Sequence, residues 1–249
     1  MQTESSLQQA NAQMDNNSVN IDDVRARAAL FRLAGRCLEE EMDSELLNLL
    51  RGDLREPLAE AGWVLDETFL QSSEETLLEA LAEEFTGLFV APGCVNPYAS
   101  VFETGCMFRE PTDRINDAYR EAGWDYQRRM SGEFPDHVGT MLGFIGELAA
   151  AEVDARENND QQAADLCAER GKTFLLEQIG PWIPGWCRRA TDSALLPFYR
   201  QLLMFSEQLL WQELTAMADR KLLKELVALN QREPKKLDYD ADFRKASGL

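Results

Sequence analysis

The chain has 249 residues, 45% hydrophobic and 28% charged, with 44 acidic and 25 basic side chains and a formal net charge of −19 at pH 7. A chain of this length buries about three quarters of its unfolded surface and needs no staple to fold. A field of that sign repels nucleic acid and anionic lipid, which excludes those partners, and attracts a basic ligand.

Residues 1 to about 20 are rich in Gln, Asn and Ser and are expected to form a mobile tail. They carry no Lys or Arg before Arg25 and no apolar run, so they are not read as a signal peptide. A helix is predicted from about Ile21, with Asp22 and Asp23 at its positive end and Val24, Ala28, Phe31, Ala34 and Leu38 at helical spacing. A second runs through SELLNLL with Ser44 as its cap. After Pro57 and Gly62, the stretch SSEETLLEALAEEFTGLFV opens at Ser72 or Ser73 and presents Leu77, Leu81, Phe85, Leu88 and Phe89 on one apolar face. Pro92, Gly93 and Pro97 end it.

YASVFETG reads as a short irregular passage, and PTDRINDAYREAG as a helix with Pro111 in its first turn. WDYQRRMSGEF is a connector, the place where a boundary between two lobes would fall. A long helix is predicted from Pro135 to about Arg156, then one through DLCAERGKTFLLEQI. GPWIPGW reads as a loop, residues 191 to 218 as a long helix and KLLKELVALN as a shorter one. Residues 231–249 are mixed-charge and expected to fray. With no period-2 alternation and no repeat, the expected fold is all-α. It is one domain of about ten helices over residues 21–230.

The five cysteines, Cys37, Cys94, Cys106, Cys167 and Cys187, form no CxxC pair, and the chain has one histidine. That argues against a structural zinc site and for free thiols in a reducing cytosol. The most apolar stretch, MLGFIGELAAA, is too short to span a bilayer and contains Glu147. A soluble cytoplasmic protein without stable membrane association is expected. No phosphate-binding loop, dinucleotide fingerprint, HExxH or GxSxG is present. The chain is therefore read as no enzyme, with no metal and no cofactor.

The lone histidine, His137, follows Pro135 and Asp136. Asp136 suits a cap on free backbone N–H groups, with His137 as a hydrogen-bonded packing residue. Both also suit contact with a basic peptide.

Three stretches occur in a telling order. Glu84-Phe85-Thr86-Gly87-Leu88-Phe89 leads to Pro97-Tyr98-Ala99-Ser100-Val101-Phe102. Pro135-Asp136-His137-Val138 continues to Leu142 and Phe144. TFLLEQIGPWIPGWCRRATDSALLPFYRQLLMF then holds Trp182, Pro184 and Trp186. This order resembles the TorD/DmsD/NarJ family of cytoplasmic redox-enzyme maturation chaperones over about residues 24–215. Met141 stands where that family commonly has Glu, and Gln178 where it often has His.

The resemblance implies an all-helical chaperone for anaerobic respiration. It would bind the twin-arginine signal peptide and apo form of a molybdopterin-containing oxidoreductase, and hold it until cofactor insertion and before Tat export. The alternatives are NarJ-like action on the mature catalytic subunit without signal recognition, and a small-molecule enzyme. The family includes monomers and homodimers.

A receptor for such a peptide needs carboxylates beside an apolar groove, because guanidinium pairs with carboxylate in two-point geometry. Asp136, His137, Glu133, Phe134, Tyr126 and Trp124 are the candidates, with Phe89, Tyr98 and Ser100 at the groove edge. Glu84, Phe85, Leu88, Pro97, Pro135, Trp182 and Pro184 are read as structural. Arg188 and Arg189 are read as surface charge.

Overall fold

A computed structural model describes residues 20–91, 93–127 and 134–236. Among them lie twelve α-helices and no strand beyond one isolated bridge, in a single all-α domain. The readings for residues 1–19 and 237–249, and for Glu133, fall outside the described residues.

Helix α1 (Ile21–Glu39) starts where the sequence places it, with the Asn20 side chain accepting from the Asp22 N–H. Helix α2 (Ser44–Arg51) is capped by Asp43, not Ser44. The Asp43 carboxylate accepts from Leu46 N at 2.8 Å, which holds its pKa below the ordinary value. Two short helices follow, α3 (Arg55–Glu60) through Pro57 and α4 (Glu67–Gln71) beyond Gly62. Helix α5 (Glu74–Phe85) is capped by Ser73 and ends in a π-helical turn, Thr86–Val90.

Four expectations differ from the structure beyond this point. The passage read as irregular is helix α6 (Ala99–Thr104). Six residues cannot hold a helix alone, and the group that caps this one comes from elsewhere in the chain. Helix α7 (Glu110–Glu121) follows as predicted, with Pro111 in its first turn. Helix α8 (Val138–Glu157) begins three residues later than expected, because Pro135 and Asp136 form a turn and His137 is the N-cap. Helix α9 (Gln161–Phe174) ends in a second π turn, Leu175–Ile179.

The GPWIPGW stretch opens helix α10 (Ile183–Ser193), with Pro184 in the first turn, where a missing N–H costs nothing. Helix α11 (Pro197–Met217) is separate from it, since Pro197 forces Leu196 out of helical geometry. Helix α12 (Arg220–Leu229) closes the fold. The chain then runs back across α6, where Lys235 N donates to the Phe102 carbonyl at 2.9 Å.

Helices α1 and α8 make the most extensive pairing. Glycines set their separation. A Cβ on Gly35 would sit 2.7 Å from the Gly139 oxygen, and one on Gly139 would sit 2.7 Å from the Gly35 oxygen. About two turns further on, a Cβ on Gly146 would lie 2.6 Å from Cγ of Arg32. Backbone therefore packs on backbone along this seam.

At the far end of the seam, buried Glu152 takes Arg156 at 2.7 Å and Arg27 at 3.1 Å, and Arg27 reaches Glu213 of α11 at 3.4 Å. The main core is built on the fully buried Trp63, Trp182, Trp186, Tyr199, Phe31, Phe69 and Phe198.

Candidate functional site

The stretches that suggested a family meet at one joint. Tyr98 and His137 form an antiparallel bridge, in which Ala99 N donates to the Asp136 carbonyl at 3.0 Å and Val138 N to the Pro97 carbonyl at 2.9 Å. The Asp136 carboxylate crosses over to accept from Ser100 N at 2.8 Å, the second residue of α6. His137 caps its own helix instead: Nδ1 accepts from Gly139 N at 3.1 Å, which leaves the ring proton on Nε2. The Tyr119 hydroxyl of α7 donates to the Pro135 carbonyl at 2.7 Å. Burial, and then the charge of Asp136, raise the Tyr119 pKa well above its ordinary value, so it remains a donor.

The other stretches are joints as well. Trp186 Nε1 donates to the Val95 and Asn96 carbonyls just before Pro97, and Trp182 Nε1 to Gln178 O. Glu84 accepts from the N–H groups of Leu195 and Leu196, and so caps α11 from across the fold. Burial raises the Glu84 pKa, and these two hydrogen bonds oppose the rise. Phe85 and Leu88 are core.

Most of the expected groove residues are therefore not on a surface. Asp136 is 0% exposed, and Ser100, His137, Phe134 and Phe89 are all buried. Phe89 lies between Phe85, Trp186 and Tyr199, so it lines no groove edge. Phe134 is held between the rings of Tyr98 and Phe108. Arg189 also departs from the surface reading: it is partly buried and stacks over Phe102 at 5.1 Å, whereas Arg188 pairs with Glu207 as an exposed residue would.

Trp124, 38% exposed, and the partly exposed Tyr126 are different. They line one wall of an open groove of about 410 Å³ between the C-terminal half of α1 and the N-terminal half of α8. Its floor is aromatic: Phe144 packs 4.5 Å from Tyr119 and edge-on to Trp124 at 6.3 Å. Its rim carries the carboxylates of Glu39, Glu40, Asp125 and Glu147 against the guanidinium groups of Arg32 and Arg36. Those arginines are already engaged, Arg32 with Glu147 at 2.5 Å and Arg36 with Asp43 at 2.6 Å and Glu40 at 3.3 Å. Thr140 ties the two helices by donating to Glu39 at 2.7 Å.

The sequence reading did not select these carboxylates. One signal was present: Glu39, Glu40 and Glu41 crowd the negative end of α1, where acid is locally unfavourable.

Among the described residues no group of three His, Cys, Asp or Glu is placed to hold a metal ion, and no helix is long and apolar enough to cross a membrane. A model of the family described as nitrate reductase delta subunit matches residues 51–188. No curated protein matches the chain. With more than half of its length matched, and with its motif stretches serving as the joints of one helical body, the chain belongs to the nitrate reductase delta subunit family, a family of chaperones for molybdoenzyme assembly.

Proposed function

We propose that this chaperone recognises its client through an arginine-bearing leader, and that the leader's basic segment enters the groove between α1, α8 and the connector at Trp124–Gln127. The client is a molybdenum-cofactor oxidoreductase precursor, held in the cytoplasm until its cofactor is inserted and before Tat export. One observation carries the reading: four carboxylates, Glu39, Glu40, Asp125 and Glu147, stand around a floor of Tyr119 and Phe144 and a wall of Trp124 and Tyr126. A guanidinium gains from both halves, by stacking on an aromatic face and by two-point pairing with carboxylate. The net charge of −19 speeds the approach of such a ligand.

In this reading Asp136, His137, Ser100, Tyr98, Phe89 and Phe134 act by fixing the frame from which Tyr119 and the connector face the groove. The test is calorimetric titration with a peptide carrying Arg-Arg before an apolar run, and with its Lys-Lys and Ala-Ala counterparts. Binding should be strongest for Arg-Arg and should weaken as salt rises, since screening sets in over about 10 Å at 0.1 M. Equal heats for all three peptides would remove arginine recognition from the proposal.

A second reading has its own support. The outer face of α11 exposes Met204, with Trp211 beside it, along a shallow hollow. That face suits an apolar patch of a folding catalytic subunit. A client lacking its leader distinguishes the readings: binding is lost under the first and retained under the second.

A further inference from the structure

Four glycines lie along the α1–α8 seam, and three of them are there for packing. Gly35, Gly139 and Gly146 would each drive a Cβ within 3 Å of backbone or of a side-chain stem on the opposing helix. Gly143 is different. A Cβ built there meets no described atom within 4 Å, although the residue sits inside α8 and is only partly exposed. Glycine inside a helix is destabilising relative to alanine, because the unfolded chain has more freedom to lose. No described neighbour requires that sacrifice at 143. The space in front of Gly143 is the groove itself, flanked on the same helix by Thr140, Phe144 and Glu147.

We propose that Gly143 is a contact position for the client, a bare strip of α8 on which the stem of a leader arginine lies flat. The guanidinium then reaches the Trp124 and Tyr126 wall on one side and the Glu39 and Glu147 carboxylates on the other. Any side chain at 143 fills the room that the stem occupies. The charge of the groove selects the occupant: its rim carries four carboxylates against two arginines, and it stays net negative even though Arg32 pairs with Glu147 and Arg36 with Glu40. The inference rests on the proposed function, and Gly143 is its specificity-determining residue.

The experiment sets stability against binding. Gly143→Ala should raise the melting temperature by about 2–4 °C, because the helix gains and nothing clashes. In calorimetry with the Arg-Arg peptide it should nevertheless bind more weakly, and Gly143→Leu should lose about tenfold or more. A fall in melting temperature for Gly143→Ala would overturn the inference, since the chain itself would then be filling the space. Trp124→Ala separates the inference from the reading beneath it. If Trp124→Ala weakens binding while Gly143→Leu does not, the groove is the site and Gly143 is not a contact. If both bind as the unaltered protein does, the groove reading falls with it.

Discussion

The carboxylate of Asp136 accepts a 2.8 Å hydrogen bond from the backbone N–H of Ser100, 36 residues earlier in the chain. It thereby caps α6, a helix too short to stand alone, and joins it to the turn that starts α8. The same residue that suggested a peptide contact is thus a cross-chain cap, sealed from solvent.

Asp136→Ala should destabilise the fold. The Ser100 N–H would be left buried without its acceptor, a loss of about 1–3 kcal/mol. Asp136→Asn keeps an acceptor oxygen and should cost less. Urea unfolding of the two variants checks the order. Two variants of unaltered stability would show that α6 needs no cap from this residue.

The α1–α8 seam should tolerate no methyl group at two of its glycines. Gly35→Ala and Gly139→Ala each press a Cβ on backbone atoms less than 3 Å away, and backbone cannot swing aside as a side-chain end can. Overpacking of this kind costs about 1–3 kcal/mol. Thermal unfolding should show both variants melting below the parent chain.

Glu152 is 2% exposed and holds Arg156 and Arg27 on either side. Glu152→Ala leaves two guanidinium groups facing each other without their counter-ion. Removing one partner of a buried pair costs about 3–5 kcal/mol. Since Arg27 keeps some access to water and retains Glu213, a value near the lower end is expected from denaturant unfolding.

Glu213 gives the fold a pH dependence of definite sign. Burial raises its carboxyl pKa above the ordinary 4.5, more than the charge and hydrogen bond of Arg27 lower it. The folded state therefore binds the proton more tightly than the unfolded chain does. This group's contribution to stability is most favourable below 4.5 and falls as pH rises through its folded-state value. Glu213→Gln cannot titrate. Its stability relative to the parent should improve as pH rises from 4.5 through the folded-state value and then level off, measured as the difference in urea midpoints across pH. A constant difference would refute the assignment.

The thiols should divide into two classes. Cys37 and Cys187 are buried, and burial pushes the Cys37 pKa up to about 12 and that of Cys187 higher still. The thiolate is the reactive form, so neither should react in the folded protein. Cys94, Cys106 and Cys167 are partly exposed. An aromatic disulfide reagent should titrate three thiols in the native protein and all five in denaturant.

Much of the helical order was legible locally. The start of helix α1 could be placed at about Ile21 because Asp22, Asp23 and the Val24–Leu38 stripe act within the helix itself. Helices α7 and α12 were legible for the same reason. Two of the misplaced elements have a determinant distant in sequence. Helix α6 depends on Asp136, and the start of α11 on Glu84 from α5. In α8, Asp136 was given the role of local cap, and the structure uses it elsewhere and assigns the cap to His137.

The site divides along the same line. The helical periodicity and the ordered stretches were enough to reach the all-α class and the family, because each is a property of the chain or of a few neighbouring residues. Which side chains stay in water could be settled only by the packed structure. Exposure is fixed by what covers a residue, and for Asp136 and Phe89 the cover comes from helices far along the chain, as does the opposing wall that turns Glu39, Glu147 and Trp124 into a groove.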